Sequence, residues 1–139
     1  MPQDELNNLV RIGKLKLEPP GRAELEGLLR SGSLRLADSR RTDISLESRF
    51  DLAYNATHAL ALAALRAEGY RADSRYLVFQ CLQHTIGLSS AQWRVLDQAH
   101  RKRNLAEYEG ELDVDEQLLV AMLRVAREIE KRVSSLVAE

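Results

Sequence analysis

The stretch that most constrains the fold is "LESRFDLAYNATHALALAALRAE", residues 46–68. Beyond Phe50 it places apolar side chains on nearly every side of a helix. A helix of this kind has no face to offer solvent, so it must lie at the centre with other helices packed around it. Ser45 is suited to cap its first turn and Gly69 to end it. The sequence therefore predicts a buried core helix over these residues.

The chain before the core helix predicts a short helix and then a long one. "DELNNLVRIGK" is a short amphipathic opener, and the run Pro19–Gly21 breaks the chain after it. Over residues 22–41 leucines recur with helical spacing. Gly32 either divides this second helix into two pieces or lets another helix approach it closely.

Three more helices are expected after the core helix. The first is "RYLVFQCLQHTI", read as one continuous helix, and the second carries a capping box at its start. No stretch predicts a convincing strand. The signals that begin and end these helices are Asp73 or Ser74 and Gly87 for the first, Ser89–Gln92 and Gly110 for the second, and Asp113 with Glu116 for the start of the third.

These elements together predict an all-α protein. Short loops between helices favour antiparallel neighbours, which gives an up-and-down bundle of four to five helices. Residues 1–139 are expected to form a single domain, in which residues 1–20 are a short helix and a Pro-Pro linker.

Composition limits the functional classes. Lys and Arg total 20 against 21 Asp and Glu, so an anion-binding surface would have to be local. Cys81 is the single cysteine and lies in an apolar run, which predicts a buried free thiol. The first residues lack the pattern of a signal peptide, and the longest uncharged apolar run is too short to span a bilayer. We therefore expect a cytoplasmic protein with no membrane partner.

Positive charge is concentrated in "AHRKRNLAEYEGEL", residues 99–112. Arg103 falls on or beside the apolar stripe of its helix, where it must reach water, pair with a carboxylate or face a groove. The simplest interpretation is a local pair with Glu107, four residues on, worth only ~0.3–0.5 kcal/mol if exposed.

The core helix carries three polar residues on one face. Asp51, Asn55 and His58 follow each other at helical spacing in its first half. Burying them without partners would cost ~1–3 kcal/mol each, so partners are expected, and Arg103 on another helix is a candidate. With it they would form a polar binding cluster.

The usual catalytic and metal motifs are absent from the sequence. His58, His84 and His100 fall on different predicted helices and form no paired zinc motif. There is also no phosphate-binding glycine loop and no nucleophile elbow. We therefore expect neither a metal nor another cofactor.

The segment "RNLAEY", residues 103–108, resembles the signature of HEPN domains (higher eukaryotes and prokaryotes nucleotide-binding). That signature is an arginine, often followed by asparagine, with a histidine four to six residues later. "RFDLAYNATHALALAALRAEGYR", residues 49–71, resembles the long helix of these all-helical bundles. The order of helices also agrees, and the resemblance covers roughly residues 23–137.

The resemblance implies an activity, partners and a site. Many HEPN proteins are metal-independent ribonucleases that act as toxins or antiviral effectors, and many pair with a small nucleotidyltransferase. They commonly form homodimers in which the motif helices line one groove. Carried over, Arg103 takes the phosphate-facing position, Asn104 the polar position after it, and Tyr108 the place of the histidine. His100, Arg101 and Lys102 would flank these as binding residues.

Tyr108 bears directly on the ribonuclease interpretation. A tyrosine with a pKa near ~10 is a poor base at pH 7, whereas histidine titrates near ~6.5. Tyrosine can still donate a hydrogen bond or stack on a base. Residues five apart on a helix also point ~140° apart, so Arg103 and Tyr108 can share a ligand only if the helix loosens or the site spans a dimer. His100, three residues before Arg103, is an alternative to the missing histidine.

Three functions follow from these observations. The tyrosine favours a HEPN-like domain that binds a nucleotide or a nucleotidyltransferase, in a toxin–antitoxin or similar system. The second is a metal-independent ribonuclease acting on RNA. The third is a helical interaction protein in which Arg103 is structural.

Overall fold

The computed structural model describes residues 2–110 and 114–138. Most of these residues are helical, and none of the described helices is both long and apolar enough to cross a membrane. The elements in chain order are α1 (Pro2–Arg11), β1 (Leu15–Leu17), α2 (Arg22–Ser39), α3 (Leu46–Ala67), β2 (Tyr70–Ala72), α4 (Arg75–Gln80), α5 (Leu82–Thr85), α6 (Ser90–Glu109) and α7 (Glu116–Ala138).

The four long helices run alternately up and down. Arg66 at the end of α3 bonds Glu24 at the start of α2, so these two helices are antiparallel. Arg103 in the second half of α6 pairs with Asp51 near the start of α3, which makes this pair antiparallel as well. Arg22, the first residue of α2, donates to the carbonyl of Val137 in the last turn of α7, so α2 and α7 are antiparallel too. The predicted all-α, up-and-down bundle is confirmed.

The core helix α3 is buried on most of its surface, as its apolar pattern predicts. Phe50, Leu60 and Leu65 are each fully buried, and α2, α6 and α7 all contact the helix. A Cβ atom on Gly32 would lie 2.6 Å from Cγ of Leu60 and 3.2 Å from the carbonyl oxygen of Ala56. Gly32 therefore allows a close helix approach, and it does not divide α2.

The predicted caps of the middle helices are confirmed. The Ser45 hydroxyl accepts from the Ser48 N–H at 3.0 Å. The capping box of Ser89 and Gln92 opens α6, and Gly110 ends that helix with a φ of 74°. Because these signals depend on neighbouring residues only, the sequence alone is enough to place them.

The caps of α4 and α7 refine the prediction. Of the two candidates for α4, Ser74 is the residue whose side chain accepts from the Leu77 N–H. At α7 the Asp115 carboxylate accepts from the Leu118 N–H at 2.7 Å. Asp113, the predicted cap, lies outside the described residues.

The expectation that the chain holds no strand was wrong. β1 and β2 form a two-stranded antiparallel sheet in which Leu15 is opposite Ala72 and Leu17 is opposite Tyr70. Each strand has three residues, so neither is long enough to show a convincing alternation of polar and apolar side chains. The partners are also far apart in the sequence, which leaves no hairpin signal.

One continuous helix was expected after β2, and this expectation was wrong. α4 and α5 are separate short helices joined at Cys81, whose own backbone stays in the helical region. Cys81 is a buried free thiol, as predicted, and burial raises its pKa to about 11. Gly87, with a φ of 71°, follows α5 and lets the chain turn towards α6.

Arg66 ties the N-terminal segment to the bundle. Its side chain is 1% exposed, and Nε and Nη2 donate to the Glu24 carboxylate at 3.1 and 3.2 Å. The same guanidinium donates to the carbonyl oxygens of Glu18, Pro19 and Tyr70. All of its donors are therefore used, which is what a buried guanidinium requires.

Candidate functional site

A cleft of about 770 Å³ lies between the start of α3 and the end of α6. Its half-buried apolar side chains are Ile44, Leu52 and Ala106, whereas most of its charged side chains are exposed. The full lining is Asp38, Arg41, Ile44, Ser45, Glu47, Ser48, Asp51, Leu52, Arg103, Ala106, Glu107 and Gly110.

Arg103 projects from α6 into this cleft and is held by two carboxylates. Its Nε lies 2.9 Å from Oδ1 of Asp51, and its Nη1 donates to Oε1 of Glu107 at 3.3 Å. The Nε–H is not aimed along a hydrogen bond to Asp51, so that contact is an ion pair only. The local pair with Glu107 is therefore present, and Asp51 adds a second anion from the core helix.

Two of the three polar residues on the core helix meet in this cluster. The Asn55 side chain donates to the Asp51 backbone carbonyl at 2.9 Å and lies 3.4 Å from its Oδ2. His58 does not join them, since its ring packs edge-on against Phe79 with the ring centroids 5.7 Å apart. Burial, with a smaller effect of the nearby Arg75, lowers the pKa of His58 to about 4. The predicted polar cluster therefore contains Asp51, Asn55 and Arg103, and the prediction that His58 belongs to it was wrong.

His100 forms a second polar group beside the first. Its Nδ1 lies 2.9 Å from the Tyr54 hydroxyl, and its Nε2 lies 3.0 Å from Nδ2 of Asn104. Burial lowers the pKa of His100, which favours the neutral imidazole near pH 7. A neutral imidazole donates from one ring nitrogen and accepts at the other, so each of its two contacts can be a hydrogen bond.

Tyr54 is the residue that the sequence reasoning missed. It is 1% exposed, its hydroxyl reaches His100, and its ring centroid lies 5.8 Å from Cζ of Arg103. Burial raises the pKa of Tyr54, so it remains a neutral phenol. The sequence did contain a signal for Tyr54. A tyrosine in the middle of a buried helix needs a hydrogen-bond partner for its hydroxyl, which indicates a polar contact with a neighbouring helix.

Tyr108 is remote from this arrangement. It is 89% exposed, and α6 remains helical through Glu109. The alternative in which the helix loosens so that Tyr108 can join Arg103 is therefore wrong. A site completed across a dimer stays a prediction.

The remaining predicted binding residues flank the cleft without lining it. Arg101 is exposed, and its Nε donates to the Asp97 carboxylate at 3.2 Å. The same carboxylate accepts from the Tyr76 hydroxyl at 2.9 Å. Lys102 is half-buried. The predicted row of cations is thus divided, and Arg103 is the member that enters the cleft.

The chemistry available at the cleft is ionic recognition. Arg103 is already paired with two carboxylates, and the imidazole of His100 is engaged on both sides. Within residues 2–110 and 114–138, no group of three or more His, Cys, Asp or Glu side chains is placed to hold a metal ion.

Comparison with known proteins adds no relative. No protein-family model matches the chain, and no curated protein or solved structure is similar to it. The resemblance to HEPN domains therefore rests on this sequence alone, through its motif residues, its core helix and the order of its helices.

Proposed function

We propose that this chain is a HEPN-like binding domain without nuclease activity, which binds a partner at the cleft between α3 and α6. A small nucleotidyltransferase of a toxin–antitoxin pair is the partner that the sequence resemblance suggests. The observation that supports this function is the pairing of Arg103 with Asp51 and Glu107. An RNA phosphate approaching the guanidinium would therefore meet the negative charge of both carboxylates.

The position of Tyr108 also argues against catalysis. Metal-free RNA cleavage needs a base for the 2′-hydroxyl proton and an acid for the leaving oxygen, both within hydrogen-bond reach of the substrate. Tyr108 faces solvent, five residues beyond Arg103 on a regular helix, so the two cannot act on one phosphate within a single chain.

A ribonuclease is the second candidate, and His100 is the observation that favours it. Its imidazole is neutral near pH 7, lies one helical turn from Arg103, and is oriented by Tyr54 and Asn104. A neutral, oriented imidazole can accept a proton, so His100 could replace the motif histidine.

Metal-free cleavage of labelled RNA in the presence of EDTA separates the two functions. The binding domain predicts that the folded wild-type protein leaves the RNA intact. Cleavage that is lost in Arg103→Ala and His100→Gln, but retained in Tyr108→Phe, would overturn the proposal and establish the second candidate. Circular dichroism of each variant verifies that the bundle is folded.

Partner binding is tested with the protein encoded by the neighbouring gene, titrated calorimetrically against the wild type and Asp51→Ala. We expect binding that weakens in this variant and is unchanged in Asp73→Asn, an exposed residue outside the cleft. If Arg103→Ala lowers the melting temperature while leaving partner binding intact, the arginine is structural and the third function holds.

The homodimer implied by the family resemblance is also a proposal. Leu105 and Tyr108 are apolar or aromatic side chains on α6 that are 48% and 89% exposed, which leaves them available to a second copy. Sedimentation equilibrium should give twice the chain mass for the wild type. Tyr108→Glu should shift the protein towards the monomer, and a monomeric wild type would contradict this part of the proposal.

A further inference from the structure

We infer that the cleft between α3 and α6 takes a positively charged side chain, arginine or lysine, from the partner protein. This inference rests on the proposed binding function and names the chemistry of the partner at that same site. It differs from phosphate recognition, which a cationic motif would suggest.

The lining of the cleft has more negative than positive charge. Four carboxylates line the cleft against two guanidiniums: Asp38, Glu47, Asp51 and Glu107 against Arg41 and Arg103. Both guanidiniums are already engaged, because Arg41 pairs with Asp43 at 2.6 Å and Arg103 with Asp51 and Glu107. An anion entering the cleft would meet more negative than positive charge.

Two of these carboxylates are available to a ligand. In the described part of the chain, the side chains of Asp38 and Glu47 form no hydrogen bond or close ion pair, and both are exposed, although Asp38 interacts at longer range with the Arg41 guanidinium. Asp38 lies in the last turn of α2 and Glu47 in the first turn of α3, so they face the opening from two elements. A cation that reaches either carboxylate would gain a charge-assisted hydrogen bond without displacing a close partner.

Arg103 shows how the cleft holds a guanidinium. Its side chain is 25% exposed and lies between an acid from α3 and an acid from its own helix. A second guanidinium from a partner would meet the same kind of setting at Asp38 and Glu47. The alkyl part of the partner's arginine or lysine side chain would pack against the half-buried Ile44, Leu52 and Ala106.

A blocked tetra-arginine peptide is a suitable probe, with tetraglutamate and inorganic pyrophosphate as comparison ligands. Binding is followed by amide chemical shifts of the labelled protein at low salt, where exposed charges are least screened. We expect the arginine peptide to shift amides of the cleft residues and pyrophosphate to leave them unchanged.

Two double variants with equal charge changes localise the binding. Asp38→Asn with Glu47→Gln should weaken peptide binding about fivefold, the range expected for two exposed ion pairs. Asp73→Asn with Glu116→Gln removes two exposed acids outside the cleft and should leave the affinity unchanged.

Equal weakening in both variants, or pyrophosphate binding at the cleft amides, would overturn this inference. Neither result would touch the proposed binding function, which fails only if the wild type cleaves RNA or does not bind its neighbouring gene product. The two failures are therefore distinguishable.

Discussion

The hydroxyl of Tyr54 and Nδ1 of His100 lie 2.9 Å apart, and this contact joins the core helix to the face of α6 that carries Arg103. Tyr54 is buried, so its hydroxyl needs a hydrogen-bond partner within the protein. One phenol on α3 thus orients the imidazole and lies against the guanidinium on α6.

Removing that hydroxyl tests the contact. Tyr54→Phe should lower the free energy of unfolding by about 1 kcal/mol, the usual net value of one buried hydrogen bond. Tyr108→Phe makes the same chemical change at an exposed site and should have no measurable effect. Urea unfolding of the two variants gives the comparison, and equal midpoints would mean that the Tyr54 hydroxyl contributes nothing.

The two half-buried imidazoles of His58 and His100 should make stability depend on pH. His58 has a pKa of about 4, and burial lowers the pKa of His100, whereas both titrate near ~6.5 in the unfolded chain. Below pH ~6.5 the unfolded state then binds protons that the folded state does not, so stability falls as the pH is lowered towards 4.

The pH effect of His58 can be isolated by substitution. The loss between pH 6.5 and 4.5 should be on the order of 2 kcal/mol, after a discount for the partial exposure of this ring. His58→Leu should flatten the pH profile in that window. Above pH 4.5 the carboxylate of Glu24 interferes little, because its hydrogen bonds with Arg66 lower its pKa. An unchanged profile would show that the pKa of His58 is the same in the folded and the unfolded protein.

Gly32 and Gly27 provide a matched pair on α2. Gly32→Ala places a methyl group 2.6 Å from Leu60, so the helices must separate, at a cost of about 1–3 kcal/mol. Gly27→Ala meets nothing within 4 Å and should stabilise the helix by up to ~1 kcal/mol. Thermal unfolding should move the two midpoints in opposite directions. A shift in the same direction would contradict the close approach of α2 and α3.

Substituting Arg66 should lower the stability of the protein far more than substituting an exposed arginine. Arg66→Met removes the hydrogen bonds of this buried guanidinium to three backbone carbonyls and to the Glu24 carboxylate, which keeps Arg71 as its remaining cation, so we expect a loss of stability of about 3 kcal/mol. Arg35→Met changes an exposed side chain that bonds only within its own helix and should stay within ~0.5 kcal/mol. Chemical unfolding would reject this account if both variants lost the same stability.

Local signals explain how much of the fold was predictable. The caps at Ser45 and Ser89 and the stop at Gly110 depend on residues within one turn, and the buried core helix follows from its own apolar pattern. The pairing of β1 with β2 depends on residues brought together only by the bundle, and three-residue strands carry too little pattern to reveal it.

The candidate site was predictable in most of its residues and in part of its pairing. Helical spacing identified Arg103 and Asp51 as polar groups near the core, and the structure joins them. The same spacing grouped His58 with them, although the ring turns to Phe79 instead. Spacing gives the face on which a side chain begins, whereas its partners depend on the neighbouring helix.

The contacts of residues 2–21 with the rest of the bundle predict what happens when the chain is cut by a protease. Glu18 and Pro19 bond this arginine, Tyr70 bonds Asn7 at 2.6 Å, and Leu6 is buried in the core. A protease that cuts the peptide bond after Gly21 would break one covalent link and leave all of these contacts in place. The two fragments should therefore elute together and separate only in denaturant, so residues 2–21 would act as a non-covalent subunit of the bundle.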